Sequence, residues 1–201
     1  MATDPTFASL YKYTKALAVA LGYRDLLTRL HSERVLALSE ALGICCGLSS
    51  TELEILKLSA SFHDIGKIGV EDRILMKSSA LDDEEWDKMR QHAEIGEKIL
   101  LATELEGSQQ AAGIVRHHHE HYDGSGYPDK LAGEDIPVYS RIISIADSYD
   151  AMAVTRSYHR QRGHSSIMEI LRQETGVKHD PQLMRLFSEL IQDSELKAAE
   201  A

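Results

Sequence analysis

Four histidines lie within five positions, in the stretch VRHHHEHYDGSGYP over residues 115–128. Imidazole nitrogens bind transition metals and can carry protons near neutral pH. Purification tags contain similar runs, but this one lies inside the chain, and the two glycines and the proline that follow it indicate a turn. The sequence therefore raises the question of which of His117, His118, His119 and His121 take part in chemistry.

A second group of reactive side chains occurs in SFHDIGKIG, residues 61–69. His63 and Asp64 together offer one nitrogen and up to two oxygen ligands, a combination suited to a borderline divalent ion. Lys67 falls one helical turn after His63, so its ammonium can reach the same pocket. A single His-Asp pair is weak evidence for a metal site, and other residues have to support it.

That support comes from three further polar residues on apolar helix faces, His31, His92 and Asp147. Each has an ordinary explanation by itself, as a hydrogen-bonded core histidine or a solvent-facing aspartate. Together with His63 and Asp64 they make five such residues in one small domain, and so many buried polar groups are hard to leave unpaired. A shared metal centre would satisfy all five.

Helical spacing runs through almost every segment, and capping residues predict where helices begin. Asp82 with Glu85 predicts the start of one helix that continues through His92, and Asp180 before Pro181 predicts the start of the last helix. No segment alternates apolar and polar residues for long enough to require a strand. The chain is therefore predicted to form a single all-α domain.

Two further helices are predicted toward the C-terminal half. Ser166 with Glu169 predicts the start of a helix that ends at Gly176, and Pro137 fits the first turn of another helix. The interval Asp123–Ile136, with three glycines and a proline, is the longest one predicted to be non-helical.

Composition bounds the classes of function. The 201 residues suffice for one well-buried core, and 43% hydrophobic with 27% charged residues is typical of a globular protein. A net charge of −10 argues against binding to nucleic-acid polymers, and no apolar stretch is long enough for a membrane span or a signal peptide. The only cysteines, Cys45 and Cys46, are adjacent and form no disulfide framework, so a cytoplasmic location is expected. Frayed ends are expected at about 1–6 and 194–201.

The motifs together resemble HD-GYP domains, a branch of the HD metal-dependent phosphohydrolase superfamily. HSERV, HDIGKIG, the histidine of QHAEIGEKIL, HHEHYDGSGYP and IADSYDAM occur in the order and approximate spacing of that family, from about Leu17 to about Phe187. The resemblance implies a single HD-type helical bundle with a metal cluster in its core. It places an N-terminal extension over 1–16, the domain over 17–193 and a frayed tail over 194–201.

The resemblance also assigns residues to roles. Asp64 and Lys67 fall on catalytic positions, Arg156 on a phosphate-contacting arginine, and Gly126 and Tyr127, with Lys67, on positions that contact substrate. The implied metal ligands are His31, His63, Asp64, His92, His118, His119 and Asp147.

Other positions depart from the family pattern. Some members hold a third metal partly through a glutamate, and Leu27 occupies that position here, so a two-metal site is expected. Lys130 replaces a usual glycine and Ser157 a usual proline, which affects loop conformation and substrate fit. His117 and His121 are expected to neighbour the ligands or to lie at the surface.

The implied cofactors are two divalent metal ions. A mixed histidine and carboxylate set without thiolate suits iron or manganese, and zinc or nickel can occupy such a set in vitro. Asp64 is the natural bridging carboxylate. The expected groups are His31, His63 and Asp147 for one ion, and His92, His118 and His119 for the other.

The resemblance implies hydrolysis of cyclic di-GMP to pGpG, with slower formation of GMP, in bacterial second-messenger signalling. One alternative keeps the mechanism and changes the substrate to another cyclic dinucleotide or a nucleotide. Another is a non-catalytic module that binds cyclic di-GMP or docks a partner. Expected partners are a diguanylate cyclase, a receiver domain or a second copy of the chain, with no nucleic-acid polymer and no membrane.

Overall fold

The computed structural model describes residues 5–154 and 161–200, and over these ranges it is a bundle of α-helices. Two short 3-10 helices, Ile65–Gly69 and Gly133–Asp135, and one isolated bridge between Thr175 and His179 complete the described secondary structure. The predicted all-α fold is confirmed. The helices are α1 (Pro5–Arg24), α2 (Leu26–Cys45), α3 (Ser50–Phe62), α4 (Asp72–Leu75), α5 (Asp83–Arg90), α6 (His92–Leu101), α7 (Ser108–Arg116), α8 (Val138–Ala153), α9 (His164–Gln173) and α10 (Pro181–Gln192).

Helix α2 lies at the centre of the bundle and packs against α1, α3, α8 and α10. Its buried residues recur at helical spacing along one face, as His31, Val35, Leu38 and Leu42. Helix α6 packs against α7 and against the 3-10 helix that follows α3. Because a histidine stands in line with three aliphatic residues on α2, the packing that buries this face also carries an imidazole into the core.

The helix predicted to start at Asp82 does begin there, but it is not continuous through His92. Asp82 Oδ1 accepts a hydrogen bond from the Glu85 amide at 2.9 Å, and the capping box is complete. The chain turns at Gln91 and separates α5 from α6. The Met89 carbonyl accepts from the Gln91 amide and from the His92 ring at 2.7 Å, so it is engaged in a local turn. The prediction of one helix was therefore wrong at this point.

Of the two predicted starts near the C-terminus, one is confirmed. Asp180 caps α10 by accepting hydrogen bonds from two backbone amides of the first turn, and Pro181 is the first helical residue. The start at Ser166 was wrong: α9 begins at His164, after Gly163, and ends at Gln173. The Ser-x-x-Glu pattern thus lies inside the helix.

Both ends of the described chain pack against the bundle. Helix α1 runs across the boundary expected between 1–16 and 17–193, and its Leu10 side chain is buried in the core. In the segment expected to fray, the Ala198 amide donates to the Tyr149 hydroxyl at 2.8 Å and the Ala199 carbonyl accepts from the His164 amide at 3.2 Å. None of the described helices has the length and apolar character needed to cross a membrane.

Candidate metal centre

The predicted ligands meet in the core as two adjacent groups. Within each group the nitrogen and oxygen atoms that could bind a metal lie within 4.8 Å of one another. Asp64 joins the groups, because its Oδ2 lies 3.5 Å from His63 Nε2 and its Oδ1 lies 3.5 Å from His92 Nε2. The groups are His31 with His63 and Asp64, and His92 with His118 and His119.

The end of α3 and the 3-10 helix after it deliver the first of these side chains. His63 and Asp64 follow α3 directly and are buried. Gly66 lies against the backbone of α6, where a Cβ would stand 1.8 Å from the His92 carbonyl oxygen, so only glycine allows this approach. Lys67 then folds back and donates to Asp64 Oδ2 at 2.6 Å.

Three of the histidines are oriented by carbonyl oxygens of the helices that precede them. Each Nδ1 donates to the carbonyl oxygen three residues earlier, which leaves Nε2 to face the cluster. His63 Nε2 is buried and has no hydrogen-bond partner, and the Nε2 atoms of His92 and His118 lie 3.4 Å apart. Two nitrogens about 2.1 Å from one tetrahedral ion would be separated by about 3.4 Å, so this arrangement suits a shared cation. The pairs are His63 with Ala60 (2.8 Å), His92 with Met89 (2.7 Å) and His118 with Val115 (2.6 Å).

His31 is held differently, between two carboxylates of α8. Its Nε2 lies 2.9 Å from Asp147 Oδ1, on the side of the cluster, and its Nδ1 lies 2.6 Å from Asp150 Oδ2. Arg34 donates to both oxygens of Asp150, at 2.6 and 3.0 Å. Sequence reasoning missed Asp150 and Arg34, although Asp150 stands one turn after Asp147 on the same apolar helix.

The histidine-rich segment reaches the cluster through His119 and the turn that follows. The Tyr127 ring lies 4.9 Å from the His119 ring, and the Tyr127 amide donates to the His119 carbonyl at 3.2 Å. Gly126 is buried against the same backbone, since a Cβ there would stand 2.2 Å from the His121 amide nitrogen. Glycine is needed for packing at this position, and its predicted contact with substrate stays a prediction.

His117 and His121 lie outside the two groups. His117 Nε2 contacts Asp129 Oδ2 at 2.8 Å, and Arg116 donates to both oxygens of the same carboxylate at 2.6 and 2.7 Å. The Arg116 guanidinium already neutralises Asp129. The contacts among Arg116, His117 and Asp129 therefore fasten the loop to α7 and do not resemble a cation site. His121 Nδ1 contacts the Ser125 hydroxyl at 2.9 Å.

The remaining positions singled out in the sequence do not belong to the two ligand groups. Arg156 and Ser157 lie outside the described residues, so their assigned roles stay predictions. The Leu27 side chain is 51% exposed and carries no ligand atom. Lys130 adopts a φ of 58°, a left-handed conformation that costs a non-glycine residue roughly 1–2 kcal/mol, which accounts for the preference for glycine there.

Three of the histidines and both carboxylates of the cluster have the protonation states of a ligand set. Burial lowers the pKa of His63, His92 and His119, and neighbouring imidazoles lower it further, so these rings are neutral near pH 7. Burial would raise the pKa of Asp64, but Lys67 and the histidines outweigh it and hold that pKa well below its usual range. Asp147 is likewise held ionised, mainly by His31. Neutral imidazoles beside ionised carboxylates are what divalent cations require.

We expect the metal-free protein to lose stability in mild acid, and His118 provides the clearest case. Burial lowers its pKa to about 3, against about 6.5 in an unfolded chain. Between these values the unfolded state binds a proton that the folded state does not, so stability falls as pH drops below about 6.5. This histidine alone should lower the free energy of unfolding by about 2 kcal/mol between pH 7 and pH 5, measured by urea denaturation after chelation.

His118→Gln is the control for that measurement, because its unfolding free energy should depend less steeply on pH than that of the wild type. His31 acts in the opposite sense: burial lowers its pKa, but hydrogen bonds to Asp147 and Asp150 outweigh burial and raise it. The comparison of wild type with the variant isolates His118 from such opposing groups. Identical slopes in the two proteins would contradict the expectation.

Comparison with known protein families identifies the family of this chain. The model of the HD domain family matches residues 17–183, most of the chain. The chain belongs to the HD domain family. Its intact Gly126-Tyr127-Pro128 and the relatives described next place it in the HD-GYP branch, as the motifs predicted.

Two curated relatives are phosphodiesterases by name. The chain is 39% identical over 173 residues to 3'3'-cGAMP-specific phosphodiesterase 2 of Vibrio cholerae, covering 86% of the chain and 33% of that protein. It is 36% identical over 181 residues to a cyclic di-GMP phosphodiesterase of Thermotoga maritima, covering 90% and 49%. The chain therefore spans between a third and a half of the length of these relatives.

A solved structure supports the fold independently of close sequence similarity. Bd1817, an HDG"Y"P protein from Bdellovibrio bacteriovorus, superimposes with a TM-score of 0.67 at 19% identity and covers 91% of this chain and 61% of that one. At this level of identity the match shows the fold alone. The HD bundle is thus supported both by sequence and by shape.

Proposed function

We propose that the protein is a two-metal phosphodiesterase that hydrolyses cyclic di-GMP to the linear dinucleotide pGpG. The observation that carries the proposal is the pair of three-residue ligand groups joined by Asp64, with the Lys67 ammonium 2.6 Å from that carboxylate. A phosphodiester repels hydroxide and has a poor alkoxide leaving group. A site with two cations and a fixed ammonium answers both difficulties.

Bound divalent ions would supply a water deprotonated near neutral pH and would neutralise charge on the phosphate. Asp64 would hold the two ions together, and the two histidine groups would hold one ion each. Lys67 has no capacity to bind a metal, so we assign it to the phosphoryl oxygen, to which its ammonium donates. Four of the five cluster histidines are buried, which strengthens this donation because little water competes.

Tyr127 and Arg90 together offer a surface for a purine base beside the site. Tyr127 lies beside His119, and the Arg90 guanidinium stands 5.7 Å above the Tyr127 ring. Burial raises the pKa of Tyr127, so its hydroxyl stays protonated and able to donate. An aromatic ring with a nearby cation suits stacking of a base and pairing with phosphate. We therefore assign Tyr127 to the wall of the substrate pocket.

A second substrate is 3'3'-cGAMP, because one relative named above is specific for that dinucleotide. The non-catalytic alternative, a module that binds cyclic di-GMP or docks a protein, is less favoured. A binding module has no need of an ammonium fixed at the bridging carboxylate. We further propose a cytoplasmic location for the protein. We also propose that it pairs with a diguanylate cyclase, a receiver domain or a second copy of itself.

The test combines metal analysis with product analysis. Protein reconstituted anaerobically with iron or manganese should hold close to two ions per chain, one for each ligand group, and should convert cyclic di-GMP to pGpG. Parallel reactions with 3'3'-cGAMP rank the two substrates by kcat/KM. Two bound ions without turnover of either dinucleotide would favour the binding module, and three tightly held ions would contradict the two-metal site.

A further inference from the structure

His31 differs from His63, His92 and His118 in the partner of its Nδ1 atom, which is a carboxylate and not a backbone carbonyl. We propose that Asp150 is a positioning residue, which fixes the His31 imidazole and strengthens its Nε2 as a metal donor. The inference rests on the metal centre of the proposed function. It concerns a side chain that the family resemblance did not assign and that contacts Nδ1 of His31, on the side of the ring away from Asp147.

The contact between the two side chains is short and shielded. His31 Nδ1 lies 2.6 Å from Asp150 Oδ2, and both residues are buried. A hydrogen on Nδ1 fixes the tautomer, so that the lone pair of the ring is on Nε2. Nε2 in turn lies 2.9 Å from Asp147 and faces the cluster. Because Nε2 also contacts a carboxylate, a metal ion would have to displace the Nε2 hydrogen, and Asp150 would keep the remaining hydrogen of the ring on Nδ1.

Arg34 explains why Asp150 acts from behind the ring and does not turn inward. The Arg34 guanidinium donates to Asp150 Oδ1 at 2.6 Å and to Asp150 Oδ2 at 3.0 Å. This bidentate arrangement holds the carboxylate in one plane. Asp150 is thereby kept ionised and oriented between one cation and one imidazole. Both of its oxygens are engaged by these two partners, and Asp147 is the carboxylate of α8 that contacts His31 Nε2 on the side of the cluster.

The carboxylate gives His31 a property that the other oriented ligands lack. His63, His92 and His118 donate from Nδ1 to neutral backbone carbonyls. A charged acceptor polarises the ring more strongly and makes the opposite nitrogen more basic, and the loss of such a partner typically weakens metal binding about 10–100-fold. We infer that His31 is the strongest imidazole donor of its group and that this strength comes from Asp150.

Cobalt(II) binding tests the inference without reference to turnover. Chelator-treated protein is titrated with Co²⁺, followed by its visible d–d absorption, and each affinity is obtained by competition with a chelator of known strength. Asp150→Ala should weaken one of the two Co²⁺ ions about 10–100-fold and alter its absorption. Asp150→Asn keeps an acceptor oxygen without the charge, and should lose affinity measurably but less than Asp150→Ala.

Asp180 provides the matched control, because it is a second buried carboxylate paired with an arginine. It lies 2.5 Å from Arg141 Nη1 and caps α10, outside the metal centre. Asp180→Ala should lower the thermal unfolding temperature and leave Co²⁺ affinity and absorption unchanged. Equal losses in Asp180→Ala and Asp150→Ala would show a general loss of structure and overturn the inference.

The remaining outcomes separate this inference from the proposed function. Asp150→Ala with both affinities and the absorption of the wild type would overturn the positioning role and leave the metal centre intact. If Asp150→Ala does not fold, Asp150→Asn provides the test. Wild-type Co²⁺ affinity in Asp150→Asn would also overturn the positioning role of Asp150. A wild-type protein that binds no Co²⁺ would instead contradict the metal centre on which the proposed function depends.

Discussion

Asp64→Ala is expected to abolish hydrolysis of cyclic di-GMP and to release most of the bound metal. Asp64 is 3% exposed, and its two oxygens face different ligand groups, toward His63 on one side and His92 on the other. Removing the carboxylate takes a negative charge from between two cations and leaves their repulsion uncompensated. Metal content by elemental analysis and turnover by product chromatography should therefore fall together, each to near background.

Two controls show whether the loss is specific. Asp180→Ala removes a buried, arginine-paired carboxylate outside the cluster, and it should keep the metal. His121→Ala should leave metal content and turnover nearly unchanged, whereas His118→Ala should reduce both, because only His118 belongs to a ligand group. The assignment of the histidine run would be wrong if His121→Ala stripped the metal and His118→Ala did not.

The sequence was informative about the metal centre because the candidate ligands are polar residues on otherwise apolar helix faces. His31 and His92 stand among aliphatic residues at helical spacing, and polar side chains in such places need partners. Adjacent pairs such as His63-Asp64 and His118-His119 add spacing that chance rarely produces. Local composition therefore singled out five of the residues, the family resemblance added His118 and His119, and the structure brings all seven together.

What the sequence could not provide depends on contacts between distant segments. Asp150 and His31 are separated by 119 positions, and nothing local to either residue shows that α2 and α8 place them 2.6 Å apart. The break at Gln91 follows from carbonyl partners that a capping pattern does not specify. The C-terminal segment was expected to fray, but its backbone bonds to Tyr149 and His164 hold it against the bundle.

Lys67→Ala is expected to lower turnover of cyclic di-GMP by roughly 10²-fold or more while metal content stays near that of the wild type. Lys67 Nζ lies 2.6 Å from Asp64 Oδ2, at the point where the two ligand groups meet. An ammonium cannot bind a metal, so its loss should spare the ions. It can stabilise charge that develops on a phosphoryl oxygen, and removing one such preorganised donor typically costs about 10²–10³ in kcat.

The competing explanation is a lysine that only pairs with a nearby acid. Glu71, a nearby acid on the same segment, is bonded to Arg73 and Lys88, whereas Lys67 donates to Asp64. Lys57 supplies the matched control, because it pairs with Glu54 at the same spacing of three residues but lies on α3, away from the site. Lys57→Ala should change neither turnover nor metal content. Near-normal turnover with normal metal content in Lys67→Ala would end the catalytic role, since a group that stabilises the transition state cannot be removed without a loss in kcat.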